Sequence, residues 1–95
     1  MNKTIHKFKL SKKDKQTIKM PAGALILSCR IQGTKWMLWA LVIPDAEEEE
    51  RTFEIFGTGH PIPYDGGVER VFIETIQTEG DFGQSLVFHI FERLS

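Results

Sequence analysis

Cysteine is almost absent from this chain: Cys29 is the only one in 95 residues. A lone thiol forms no internal disulfide and no multi-cysteine zinc site, which excludes a stapled secreted scaffold. Long hydrophobic runs are missing too. The longest, Trp36–Ile43, has eight residues, far short of the roughly 18 that a spanning helix needs. No apolar stretch follows Lys3, Lys7 and Lys9, so no secretory leader is expected and a reducing cytoplasm is the expected setting. Acids are scarce in the first 35 residues, where nine Lys and Arg face Asp14 alone. The other 60 residues carry Arg51, Arg70 and Arg93 against twelve acids, so the two parts hold +8 and −9. A basic segment of this kind can meet phosphates or other anions, or the two parts can neutralise each other within or between subunits. Nucleic acid is not the expected partner, because the basic part has only Phe8 as an interleaved stacking aromatic.

What is present is an ordinary globular composition, with 41% hydrophobic and 26% charged residues, which excludes disorder throughout and fits one domain over residues 1–95. Helical periodicity is nearly missing; short alternating runs separated by turn signals take its place. Strands are expected at Thr4–Leu10, Gln16–Met20, Ala24–Gln32, Lys35–Ile43, Arg51–Phe56, Arg70–Thr78 and Ser85–Glu92. In the third, Leu25, Leu27, Cys29 and Ile31 alternate with Ser28, Arg30 and Gln32, the pattern of a half-buried strand. In the sixth, Val71, Ile73 and Thr75 are expected on one face, with Phe72, Glu74 and Ile76 on the other. Gln32-Gly33-Thr34-Lys35 suits a tight hairpin. The run from Trp36 is apolar on both faces, so it is central in the domain or has its second face in a subunit interface. Glu47–Glu50 reads as a solvated loop, with no glycine to bend it around a cation. The expected fold is all-β, a small antiparallel sandwich or barrel of about seven strands.

Chemistry-bearing residues are few. Gly57-Thr58-Gly59-His60-Pro61 opens the longest irregular stretch. Its glycines let a ligand approach the backbone, and exposed N–H groups in such a turn can form an anion-binding concavity. Thr58 adds a hydroxyl and His60 an imidazole donor; alternatively, the glycines serve turn geometry alone. His89, among Val87, Phe88, Ile90 and Phe91, reads first as a hydrogen-bonded core or interface residue. Scattered histidines make a metal site improbable, and no nucleophile elbow is present. Cys29, on the apolar face of its strand, reads as a buried, inert thiol. Trp36 and Trp39 fall on opposite strand faces, and either can pack in a core or stack on a base. Tyr64, in the Gly/Pro loop, is the better exposed stacking candidate.

Three segments carry a family resemblance: Trp39-Ala40-Leu41-Val42, then Arg51-Thr52-Phe53 leading to Gly57-Thr58-Gly59-His60, and Leu86-Val87-Phe88-His89-Ile90-Phe91-Glu92. With them the chain resembles a widespread family of small tailed-phage proteins over nearly its whole length. The resemblance extends to viral sponges that bind cyclic nucleotide signals of bacterial anti-phage immunity (anti-CBASS type). It implies an oligomeric protein of the host cytoplasm that binds its ligand without cleaving it and needs no cofactor. Ligand contacts are inferred from the residues themselves: Arg51, Thr58, Gly59 and His60 for the phosphates, with Lys35 or the N-terminal lysines, and Trp36 and Tyr64 for the bases. So small a domain has little room for a deep site, so a site near a homo-oligomer interface is expected. The alternatives are a module that binds a host protein, and a phosphodiesterase using His60 and His89 as acid and base.

Overall fold

A computed structural model describes residues 2–94 of the protein. Seven strands follow in chain order: β1 (Thr4–Leu10), β2 (Lys15–Pro21), β3 (Leu25–Gln32), β4 (Lys35–Val42), β5 (Glu48–Gly57), β6 (Arg70–Glu79) and β7 (Ser85–Arg93). They form a three-stranded sheet, β1-β4-β3, and a four-stranded sheet, β2-β5-β7-β6. Every pairing is antiparallel, and no helix occurs among the described residues. The fold is therefore all-β in two layers, and the Cα envelope of 48 × 37 × 16 Å is as thin as two sheets about 10 Å apart require.

β4 is central in its sheet, which accounts for its continuous apolar run. Its inner face, Trp36, Leu38, Ala40 and Val42, is buried, whereas Met37, Trp39 and Leu41 lie on the outer face. Opposite stand Phe53 and Ile55 of β5, Ile90 of β7 and Ile76 of β6, with Met20 and Leu10 closing the core. The β3–β4 hairpin turns through Gly33, whose φ of 65°, at the first central position alone, is the signature of a type II′ turn.

Two alternation patterns read from the sequence are broken by bulges. In β3 the register shifts between Ile26 and Ser28. Ile26 then lies opposite Ala40 and packs against the core, while Leu25 and Leu27 are 58% and 46% exposed. An extra residue reverses the side-chain phase, so only Cys29 and Ile31 keep the inward positions that the pattern gives all four. The same happens in β6 between Phe72 and Glu74. Phe72 and Thr75 share the outer face, while Ile73 packs against the core and Ile76 lies in it.

Glu47–Glu50 is also not simply a loop. Glu48–Glu50 begin β5, with Lys19 opposite Glu50. Ala22 N donates to Glu47 O at 2.7 Å, and Gly23 N to a Glu49 carboxylate oxygen at 3.3 Å. A facing lysine and backbone donors give the like charges enough compensation to continue the ladder.

Candidate functional site

β5 ends at Gly57, where the chain turns back on itself. His60 N donates to Gly57 O at 3.0 Å, and Gly59 has φ 85°, the positive φ that position i+2 of a type II turn demands. The turn directs its two polar side chains to different sides of the four-stranded sheet. Thr58 goes outward: its N–H donates to Val87 O at 3.2 Å, and its hydroxyl lies 2.7 Å from His89 Nε2. His89 Nδ1 lies 3.0 Å from the Thr75 hydroxyl, so the imidazole is held between two threonines on the outer face. His60 goes the other way and lines a cleft at the end of the two layers with Trp36, Ile55 and Phe88.

That cleft has a volume of about 390 Å³. The β1–β2 turn supplies Lys12 and Asp14, and the β6–β7 turn supplies Glu79, Gly80, Asp81 and Gln84. Both turns are tied down, by Ile55 N donating to Asp14 O at 2.9 Å and Gly80 N to Gln84 O at 2.8 Å. Gly57 allows the His60 ring to lie against the strand end, since a Cβ there would come within 2.8 Å of Nδ1. Trp36 is only 4% exposed. Phe88 packs against it at 5.4 Å between centroids, and the Lys12 ammonium sits 5.8 Å from its ring centroid. Trp36 is thus mainly core, reaching the cleft at its margin.

Trp36, Gly57 and His60 come together, with Thr58 and Gly59 in the turn beside them. The N–H groups of Thr58 and His60 are engaged within the chain, which leaves fewer donors for an anion than the glycine pattern suggests. Arg51 lies at the other end of β5, six residues or about 20 Å from Gly57. There its Nη2 donates to Glu92 Oε1 at 2.9 Å and its Nη1 to Ala24 O at 2.9 Å, with Nε on the second Glu92 oxygen. Glu92 is buried, and its hydrogen bonds raise the Arg51 pKa against the opposing effect of burial. Tyr64 is fully exposed and is not part of the cleft lining. Its neighbour Asp65 joins the Gly57–Arg70 connection to the sheet through Arg70 at 3.0 and 3.1 Å. Arg70 also donates to Glu54 at 2.7 Å. These bonds hold the Asp65 carboxyl below the usual range, the Arg70 hydrogen bond contributing most. Cys29 is fully buried, and burial, helped by Glu74 and opposed by Arg30, pushes its thiol up to about 12.

Sequence reasoning missed Asp14, Phe88, Glu79, Asp81 and Gln84 of the cleft's lining, whereas Lys12 is one of the N-terminal lysines it offered as ligand contacts. Phe88 comes from β7, while the others come from two turns about 65 positions apart, which only the β5 pairings bring to one end. Among the described residues no three His, Cys, Asp or Glu side chains converge as metal ligands would, and no helix is long and apolar enough to cross a membrane.

Fold and site define a small all-β protein of two layers with an open cleft at an end of its sandwich. The chain belongs to the family described as a domain of unknown function (DUF7352), which matches residues 1–95. Comparison with curated proteins and with solved structures gives no match.

Proposed function

We propose that this domain is a binding protein that sequesters a cyclic dinucleotide in the end cleft and releases it chemically unchanged. The observation that carries the reading is the cleft's combination of an apolar floor with a mixed polar rim. Ile55, Leu86 and Phe88 give it apolar surface, and Lys12 and His60 stand at its margin. Three carboxylates, Asp14, Glu79 and Asp81, share the lining. Carboxylates accept hydrogen bonds from base amino groups and ribose hydroxyls, whereas they repel densely charged phosphates. A rim with one lysine, one imidazole and three acids therefore suits phosphodiesters, with one charge per nucleotide, better than a nucleoside triphosphate. At about 390 Å³ the cleft is near the lower end of the roughly 300–1,000 Å³ of small-molecule sites. It suits one half of a cyclic dinucleotide, and a neighbouring subunit would receive the other half. Binding without turnover is supported by the histidines: His60 lines the cleft, while His89 lies on the outer face with Thr58 and Thr75. The ligand class and the setting, a phage protein in the cytoplasm of an infected host, rest on the sequence resemblance.

The test is thermal denaturation against a panel of cyclic di- and trinucleotides, each recovered afterwards by chromatography. A ligand specific to the native state at about 100 times its Kd adds about 2.7 kcal/mol, a rise of several degrees for a domain this size. The expected result is such a rise with one compound, recovered intact, and its loss in His60→Ala and Lys12→Ala. No rise across the panel overturns the reading in favour of a protein-binding module. A rise with the compound hydrolysed overturns it in favour of a phosphodiesterase.

A further inference from the structure

The outer face of the three-stranded sheet consists of three cross-strand rows. Ile5–Leu41–Leu25 is wholly apolar, Lys7–Trp39–Ser28 follows, and Lys9–Met37–Arg30 is basic at both ends. No Asp or Glu occurs anywhere in β1, β3 or β4. Ile5 and Leu25 are 57% and 58% exposed and flank the half-buried Leu41 in one row. Beyond the apolar row, where the chain leaves β4 and enters β3, the charge changes sign. Asp45, Glu47 and Glu49 are exposed there, and Glu47 and Glu49 are hydrogen-bonded to Ala22 and Gly23, just before Leu25.

We propose that this face docks a second copy of the chain about a two-fold axis through the Ile5–Leu41–Leu25 row. The axis sets apolar row on apolar row. It also carries the basic rows of each copy, which extend about 13 Å from the axis, over the acidic border of the other. Charge complementarity selects this occupant. Among the described residues Lys9 and Lys35 have no carboxylate within 4 Å and Asp45 and Glu47 have no cation within that distance, whereas Arg30 reaches Glu74 of its own chain at 3.9 Å. An isologous interface needs this self-complementarity, with residue i meeting j and j meeting i. Three strands of about eight residues offer roughly 400 Å² per copy, the low end of interface sizes, so the association is weak and concentration-dependent. It is independent of the nucleotide and is measured without it.

Sedimentation velocity of the full chain at rising concentration is the test, with two charge-inverted variants, Lys7→Glu/Lys9→Glu and Asp45→Lys/Glu47→Lys. The wild type is expected to pass from one-chain to two-chain mass. Each variant alone stays at one-chain mass, and an equimolar mixture regains two-chain mass, which also demonstrates that both are folded. A wild type of one-chain mass at every soluble concentration overturns the proposal, as do variants that dimerise alone or a mixture that does not. If the wild type instead stays monomeric and retains a dye-labelled oligothymidine that Lys7→Glu/Lys9→Glu does not, the face belongs to a single-stranded nucleic acid.

Discussion

At the scale of single residues, the strongest local commitments are Gly59 and the Arg51–Glu92 pair. Gly59 holds φ 85°, a left-handed conformation that costs an L-residue about 1–2 kcal/mol. Gly59→Ala is expected to lose about that much stability in urea denaturation. Glu92 is buried, and Arg51 joins it to the Ala24 carbonyl. Removing one partner strands the other, so Glu92→Gln is expected to cost about 3 kcal/mol and Arg51→Met/Glu92→Leu to recover much of it. Arg51→Ala should also lower the melting temperature of the free protein while leaving any ligand-induced rise intact, because Arg51 lies outside the cleft. Asp65 titrates with a definite sign. Its folded pKa lies below the ordinary value because Arg70 binds the carboxylate. The pair therefore stabilises the protein fully above about pH 4, the unfolded value, and the gain is lost as pH falls through the folded pKa. Asp65→Asn should flatten the acid limb of a stability-against-pH curve measured by urea denaturation. Cys29, with its thiol pushed up to about 12, should react with a disulfide reagent at pH 8 only after denaturant is added.

At the scale of elements, the strands were legible and their phases were not. Hydrophobic alternation and turn residues located all seven, since a two-residue side-chain period and Gly/Pro punctuation are local properties. The bulges in β3 and β6 are decided by what each strand must meet across the sheet, and Leu25 looks no different from Ile26 in sequence. Bulges also keep edge strands from pairing with other chains, and β3 and β6 are both edges. Deleting Leu27 leaves Ile26 opposite Ala40 and Ser28 opposite Trp39, so the variant is expected to fold. Its straightened edge should aggregate faster by light scattering. The candidate site was half legible for the same reason. Gly57-Thr58-Gly59-His60 announced a turn, yet the opposite directions of Thr58 and His60 follow from the β5–β7 pairing.

At the scale of the whole molecule, thinness has consequences. The Cα radius of gyration is 14.3 Å, against about 12 Å for a compact chain of this length. A flat two-layer domain leaves much of its apolar surface on the outer faces. The three-stranded sheet bears Ile5, Leu25 and the half-buried Trp39 and Leu41 there. The four-stranded sheet manages its own outer face differently. Phe56, Phe72 and Phe91 meet edge to face, Arg70 stacks over Phe56, and Arg70 and Arg93 share Glu54 and Asp65. On the four-stranded face the rings and ion pairs engage one another, although Phe72 stays 54% exposed.

The amino-acid sequence by itself determined the all-β class, the strand positions, the hairpin at Gly33 and the sign of charge along the chain. These depend on side-chain period, φ preferences and composition, which act over a few residues. Only the tertiary structure decided that Arg51 is a pin within the fold and that Lys12 and His60 share a cleft. It alone decided that lysines of β1, Trp39 of β4 and Arg30 of β3 form one face. Those facts depend on which strands pair and in what register, and register is settled by contacts between residues tens of positions apart.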